Sequence, residues 1–376
     1  MKTTPLLPLE SPGKPRRVVL IVQHLVRGEI EFQVLEQLKH ANANERIFII
    51  SLEGNIEQAI MLWPELETYR QQLFFLRKEP GVHPSLFVAL YRLLKVLKPQ
   101  VVHTHHIGPL LYGGIAARLS GVRNRTHTEH CTKHLEYTRL ACIEDAAFKA
   151  ARPAIIAATP TVKRSLASLF PKVTARVIRP GIDCNSFSKG ELLVAREQLN
   201  LPNEVVLLGA DCHIGDSPGL LSLMRALYYL PENVHLVLNN SMELSSSIRV
   251  LSEKLRIGSR VHQLQHIIDE PCFYQALDLY LQLGSGGIHA LSALRAQACG
   301  IRVIALESCT NIEALCPSTS IMTSGHLFAL LKQIEISLNS HFSPSPSPSP
   351  RKYTIEKFDI QRACEEYRSL VTRLTI

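Results

Sequence analysis

No apolar run in this sequence reaches the ~18 residues needed to cross a bilayer. The stretch from Met1 to Arg17 carries prolines and charges where a signal peptide would have an apolar core. These absences point to a cytoplasmic protein and leave open a peripheral contact at the inner face of a membrane. The nine cysteines include no C-x-x-C pair and no zinc-like spacing. A disulfide framework is therefore not expected, and the thiols read as free, mostly buried groups in a reducing compartment. No arginine-rich run is interleaved with aromatics, which argues against nucleic acid as a partner.

What is present fits a folded chain of two domains: 376 residues, 46% of them hydrophobic and 20% charged. The net charge of +8 favours phosphorylated ligands, an anionic membrane surface or nucleic acid without choosing among them. The run Arg17–Gln23 reads as a buried strand, followed by a loop at Gly28 and then Phe32, Val34, Leu35 and Leu38 at helical spacing. Strand, glycine loop and helix open a doubly wound parallel sheet. Further strands are expected at Arg46–Leu52, Gln72–Leu76, Gln100–His103, Arg125–Thr128 and Ala154–Ala158, with an amphipathic helix over Pro84–Leu97. That helix sets leucines on one side and Arg92, Lys95 and Lys98 nearby, so it suits either the sheet or an anionic lipid surface.

A second βα series follows, with strands at Glu204–Gly209, Val234–Leu238, Val261–Leu264, Leu277–Leu283 and Arg302–Ala305. Helices at Leu220–Leu230, Ser245–Leu255, Pro271–Gln275 and His289–Cys299 separate these strands. The expected division is a leader over 1–16, one Rossmann-like domain over 17–174 and another over 175–341. A Ser-Pro linker of polyproline character over 342–351 and a last helix over 352–376 follow. The helical stretch Ile355–Leu374 sets Phe358, Ile360, Cys364, Tyr367, Leu370 and Leu374 near one face. Ligands of such sheets bind at the carboxyl ends of the strands, here in the cleft between the halves.

Four segments carry candidate chemistry, in this order: Gly28-Glu29-Ile30-Glu31; Val101-Val102-His103-Thr104-His105-His106 with Gly113 and Gly114 behind it; His127-Thr128-Glu129-His130; and Val177-Ile178-Arg179-Pro180-Gly181-Ile182-Asp183. Glycines after a first strand let backbone N–H groups approach a phosphate or sugar. A histidine at a strand's end can donate to a hydroxyl or move a proton near neutral pH. Adjacent strand histidines point to opposite faces, and His130 and His134 lack the order of a helical zinc motif, so no metal is expected.

Together these segments resemble the landmarks of family-4 retaining glycosyltransferases of the GT-B fold, particularly bacterial enzymes that build surface polysaccharide and lipopolysaccharide. The resemblance runs from about Arg17 to Pro317. It implies an α/β protein of two Rossmann-like domains facing across a cleft, with the first on the acceptor side and the second on the donor side. It also implies a nucleotide sugar as substrate, a glycan or lipid-linked acceptor, and neither cofactor nor metal. Carried over residue by residue, His130 is the catalytic candidate. Gly28, Glu31, His103, Glu129, Asp183, Gly219, Arg295 and Glu313 are the candidates for holding donor or acceptor.

The second half departs from the family's pattern. Pro218 stands where the family has lysine, and Gly287 and Arg295 occupy its two signature glutamate positions. Each lost polar contact in such a site is worth roughly 1–3 kcal/mol. Two readings follow: a glycosyltransferase that holds its donor differently, or a catalytically degenerate binding or scaffold protein partnering an active glycosyltransferase.

Overall fold

The computed structural model describes residues 15–211, 218–239, 246–265, 269–283, 290–307, 312–339 and 348–375, with side chains to 372. The described residues form two compact units, one of residues 15–178 with 364–375 and one of residues 179–363. Among them no helix is long and apolar enough to cross a membrane.

The first unit is built on seven parallel strands: β1 (Arg16–Val22), β2 (Glu45–Ser51), β3 (Leu73–Phe75), β4 (Val101–His105), β5 (Asn124–Glu129), β6 (Ala154–Ala157) and β7 (Ala175–Val177). Their order is β3-β2-β1-β4-β5-β6-β7. The run Val18-Val19-Leu20-Ile21-Val22 is buried throughout, as expected of a parallel strand covered on both faces. Strand order reverses between β1 and β4, and such a sheet opens its ligand crevice at the carboxyl ends beside that point.

Two glycines bring a helix close to this edge. An added Cβ on Gly113 would lie 2.6 Å from Ile21 Cδ1, and one on Gly114 would lie 2.9 Å from Ala151 Cβ. The Gly-Gly pair sits in a π-helical turn, Leu110–Gly114, between the helical stretches Ile107–Pro109 and Ile115–Leu119. The helix Pro84–Leu97 has the expected bounds. Its Leu86, Leu90 and Leu94 are buried in one cluster with Val19, Ile21 and Val102, each such side chain contributing about 1.5–3 kcal/mol. The sheet thus occupies the leucine face that the sequence also offered to lipid.

The second unit repeats the plan with β8 (Val206–Asp211), β9 (Val234–Asn239), β10 (Val261–Leu264), β11 (Leu279–Gln282), β12 (Arg302–Leu306) and β13 (Ile321–Thr323). These parallel strands are ordered β10-β9-β8-β11-β12-β13. Strands β7 (Ala-Arg-Val) and β13 (Ile-Met-Thr) were not expected from the sequence, because neither is a continuous apolar triplet like the Leu-Phe-Phe of β3. Buried Arg196 ties this unit together: it pairs with Asp278 at 2.7 Å and donates to the carbonyls of Ala276, Asn203 and Val205. Asp278 in turn accepts the Leu207 N–H at 2.7 Å.

The C-terminal helix expected as one piece is two, Pro350–Phe358 and Ile360–Thr375. The Ser349 side chain accepts from Lys352 N and caps the first of them. Asp359 breaks the helix because its backbone is extended and forms a β-bridge with Ile182. Ile182 N–H donates to the Phe358 carbonyl at 2.7 Å, and Ile360 N–H donates to the Ile182 carbonyl at 2.9 Å. Gly181 makes this contact possible, since a Cβ there would lie 2.5 Å from Ile360 Cα. From Cys364 onward the last helix belongs to the first unit, where Arg368 pairs with Glu45 at 2.8 Å. Leu374 lies outside the described side chains.

Candidate functional site

The carboxyl edge of β4 and β5 concentrates the unusual side chains of the first unit. β4 runs two residues past its expected end because His105 pairs in register with Thr128 of β5. This extension puts His103 and His105 on one face and Thr104 on the other. His103 Nε2 lies 2.7 Å from Thr128 Oγ1, and its ring packs at a tilt against those of His105 and Tyr367, with centroids at 4.2 and 5.1 Å. Burial first, then the charge of His127, pushes His103 down to about 3, so its ring is neutral.

The catalytic candidate His130 is buried just beyond β5, with Nε2 at 2.9 Å from Nδ1 of His105. Two imidazoles at this distance share a single hydrogen, one ring donating and the other accepting. Glu129 holds the turn from below: its Oε1 accepts the N–H groups of His130 and Cys131 at 3.1 and 3.2 Å. Glu129 therefore organises the backbone on which His130 sits.

His106 makes the turn from β4 into the following helix with φ 72° and ψ 159°. That backbone region is essentially reserved for glycine and costs about 1–3 kcal/mol for other residues. Its ring lies 6.2 Å from His130 and 6.2 Å from His24, centroid to centroid. Burial, then the charges of His24 and His127, holds His106 down to about 4. His24 in turn has Nε2 at 3.9 Å from Glu31 Oε1. A row of polar groups thus runs Glu31, His24, His106, His130, His105, His103 along the sheet edge.

Glu31 and Gly28 form the start of that row. The Glu31 carboxyl folds back on Gly28, where a Cβ would lie 2.5 Å from Oε2. Gly28 has an extended backbone, so its conformation does not require glycine, and a larger residue there would have to displace the end of the Glu31 side chain. Burial lifts Glu31 to about 7.

On the other face of β4 and β5, His127 Nδ1 lies 2.9 Å from Thr104 Oγ1 and Nε2 lies 3.6 Å from Glu129 Oε2. Glu144, from the helix Thr138–Ala151, is fully buried and places Oε2 at 2.8 Å from His134 Nε2. Burial pushes both Glu129 and Glu144 above the usual carboxylate range. For His134, burial acts downward but the hydrogen bond to Glu144 and the neighbouring carboxylate charges outweigh it, and the net shift is upward.

The remaining candidates belong to the second unit and have structural duties there. Asp183 Oδ1 accepts from the backbone of Asn185 and Ser186 at 2.9 and 3.2 Å, and Oδ2 accepts from Ser186 Oγ at 2.6 Å. Gly219 lets the helix Pro218–Tyr229 approach β11, since a Cβ would lie 2.2 Å from the Leu283 carbonyl oxygen. Arg295 is buried on the helix Leu291–Ala298, paired with Glu270 at 2.6 Å and 5.1 Å from the Phe187 ring centre. The backbone carbonyl of Glu313 accepts from Tyr353 Oη at 2.9 Å. Gly287 and the loop between Asp211 and Pro218 lie outside the described residues.

The first unit thus brings together Gly28, Glu31, His103, Glu129 and His130. His24, His105, His106 and Glu144 join them without having been singled out. The run of histidines at a strand's end was a signal for two of these, whereas Glu144 lies on a helix with no motif to mark it.

Comparison with known proteins agrees with this architecture. No curated protein matches the sequence. Residues 15–186 match the model of Glycosyltransferase Family 4. A crystal structure of a glycosyltransferase from Rickettsia africae is 16% identical, with 96% of this chain and 99% of that chain covered and a TM-score of 0.78. HepE from Anabaena, crystallised in complex with UDP, is 15% identical over 95% of this chain and 100% of that chain, with a TM-score of 0.80. WaaG, a glycosyltransferase involved in lipopolysaccharide biosynthesis, is 15% identical over 94% of this chain and 99% of that chain, with a TM-score of 0.63. Residues 15–186 thus carry the sequence pattern of glycosyltransferase family 4, and the chain as a whole has the GT-B fold of such enzymes.

Proposed function

We propose that this protein is a glycosyltransferase that moves sugar from a nucleotide-sugar donor to a glycan or lipid-linked acceptor, such as a polysaccharide or lipopolysaccharide, with retention of configuration. The observation that carries the reading is His130. It sits at the carboxyl edge of β5, buried, hydrogen-bonded to His105 and inside the segment that matches Family 4. An imidazole there can donate to a sugar hydroxyl or relay a proton as the bond to the donor breaks. HepE, which shares the fold, has been crystallised with UDP-glucose and with UDP and glucose. That supports a nucleoside diphosphate sugar as donor class.

Arg295 favours a second reading, a degenerate partner of an active enzyme. It stands where the resemblance places a glutamate for the nucleotide ribose, and its charge is already met by Glu270. Calorimetry with UDP, GDP and CMP sugars, followed by donor hydrolysis and transfer assays, separates the two. Donor binding with hydrolysis or transfer supports the enzyme. Folded protein that neither binds nor turns over any donor overturns it in favour of the scaffold.

A further inference from the structure

We propose that His127, Glu129 and Glu144 form a buried site for one divalent transition-metal ion, zinc in the first instance, that pins the end of β5. The site lies on the face of the sheet away from the His103–His105–His130 row, and it does not rest on the proposed transferase activity.

Each of the three side chains has one polar atom anchored by protein and one turned inward. His127 Nδ1 is held by Thr104 Oγ1, whose own hydroxyl points to the Thr126 carbonyl at 3.4 Å. The hydroxyl therefore accepts from Nδ1–H, which leaves a lone pair on His127 Nε2. Glu129 Oε1 is taken by two backbone N–H groups, and Glu144 Oε2 by His134. The three inward atoms, His127 Nε2, Glu129 Oε2 and Glu144 Oε1, are buried and have no hydrogen-bond partner. One potential ligand atom from each of the three residues lies within 4.8 Å of those from the other two, and the residues are 0, 3 and 0% exposed.

Three electron-pair donors facing one another in a dry pocket need a positive charge between them. A tetrahedral ion with bonds of about 2.0–2.2 Å spaces its ligands about 3.4 Å apart, and the Nε2–Oε2 separation is 3.6 Å. One imidazole and two carboxylates suit zinc better than calcium or magnesium, which prefer shells of six or more oxygens. The dication would cancel both carboxylate charges, and the anchors on the outer atoms are those that orient metal ligands. The competing way to satisfy the pocket is a proton shared between Glu129 and Glu144.

The test is metal analysis of the full chain, purified without a histidine tag. Close to one zinc per chain is expected, with loss of at least nine-tenths of it in Glu144→Gln and His127→Gln, and retention in Glu136→Gln. Chelation should lower the thermal midpoint of the wild type, and zinc should restore it; this readout stands even where a variant fails to fold. Cobalt loading should produce the visible bands of a tetrahedral nitrogen–oxygen site. Metal content below a tenth of an equivalent, with no thermal response to zinc, cobalt or manganese, overturns the site in favour of the shared proton. Metal that survives Glu144→Gln but is lost on His262→Gln, which removes one of the paired rings of His235 and His262, also overturns it.

Discussion

His105 Nδ1 and His130 Nε2 face each other at 2.9 Å across the ends of β4 and β5, both rings buried. One hydrogen serves both rings, so the state of one fixes the tautomer of the other. On the proposed transferase reading His130 is the group that acts on the transferred sugar, and general acid–base or hydrogen-bonding help of this kind is worth about 10²–10⁴ in rate. His130→Ala should therefore lower kcat for sugar transfer or donor hydrolysis by that range and leave donor affinity within about threefold. His105→Asn should cost less, about tenfold, and act on kcat rather than KM. Steady-state kinetics of both variants, with circular dichroism to confirm folding, checks this. Full activity in His130→Ala would remove the residue from the chemistry.

His106 holds a backbone conformation that glycine adopts freely, and its ring sits between His24 and His130. Replacing it with glycine relieves about 1–3 kcal/mol of strain and adds about 0.5–1 kcal/mol of unfolded-state entropy. The net expectation for His106→Gly is a protein about 1 kcal/mol more stable and less active. Denaturant unfolding and turnover measured side by side decide it. A destabilised variant would mean that the imidazole's packing outweighs the strain.

Both sheets were legible in the sequence, because a parallel strand buried on two faces reads as a short continuous apolar run, as in Val18–Val22. The helix Pro84–Leu97 was legible to the residue: Pro84 marks its first turn, and Lys98, with φ 47°, ends it. The break at Asp359 was not, since it depends on pairing with Ile182, far away in sequence. Glycines 181 and 219 stood out within motifs, but the backbone neighbours that demand them, at Ile360 and Leu283, are known only from the fold. Of the candidate site, the residues that short motifs carry were the ones singled out. Glu144 and Glu270 were not, because a lone carboxylate on an amphipathic helix looks the same whether it faces water or a buried histidine.

Glu31 gives stability an unusual pH dependence. Its folded value near 7 lies above the unfolded value near 4.5, so the folded state holds the proton more tightly. The stabilisation is complete below about pH 4.5 and fades as the pH rises through about 7. Glu31→Gln mimics the protonated form at every pH. Relative to wild type it should gain roughly 2 kcal/mol between pH 5 and pH 8. Urea unfolding of both proteins at the two pH values measures the difference, and a pH-independent gap would show that Glu31 is ionised in the fold.

Arg295 and Glu270 decide what a repair of the second unit requires. Removing one partner of a buried pair strands the other charge and costs about 3–5 kcal/mol. Arg295→Glu, the change that restores the family's carboxylate, also places two anions where the 2.6 Å salt bridge now stands. It should therefore lower stability by at least that amount and gain no donor affinity by itself. The double change Arg295→Glu with Glu270→Gln removes the repulsion and should recover about half of the loss, because glutamine still donates to the new carboxylate. A double-mutant cycle on unfolding free energy gives the coupling directly. Additive effects would place the pair outside mutual reach, whereas strong coupling would mean that any donor must be bound by groups other than the Arg295 guanidinium.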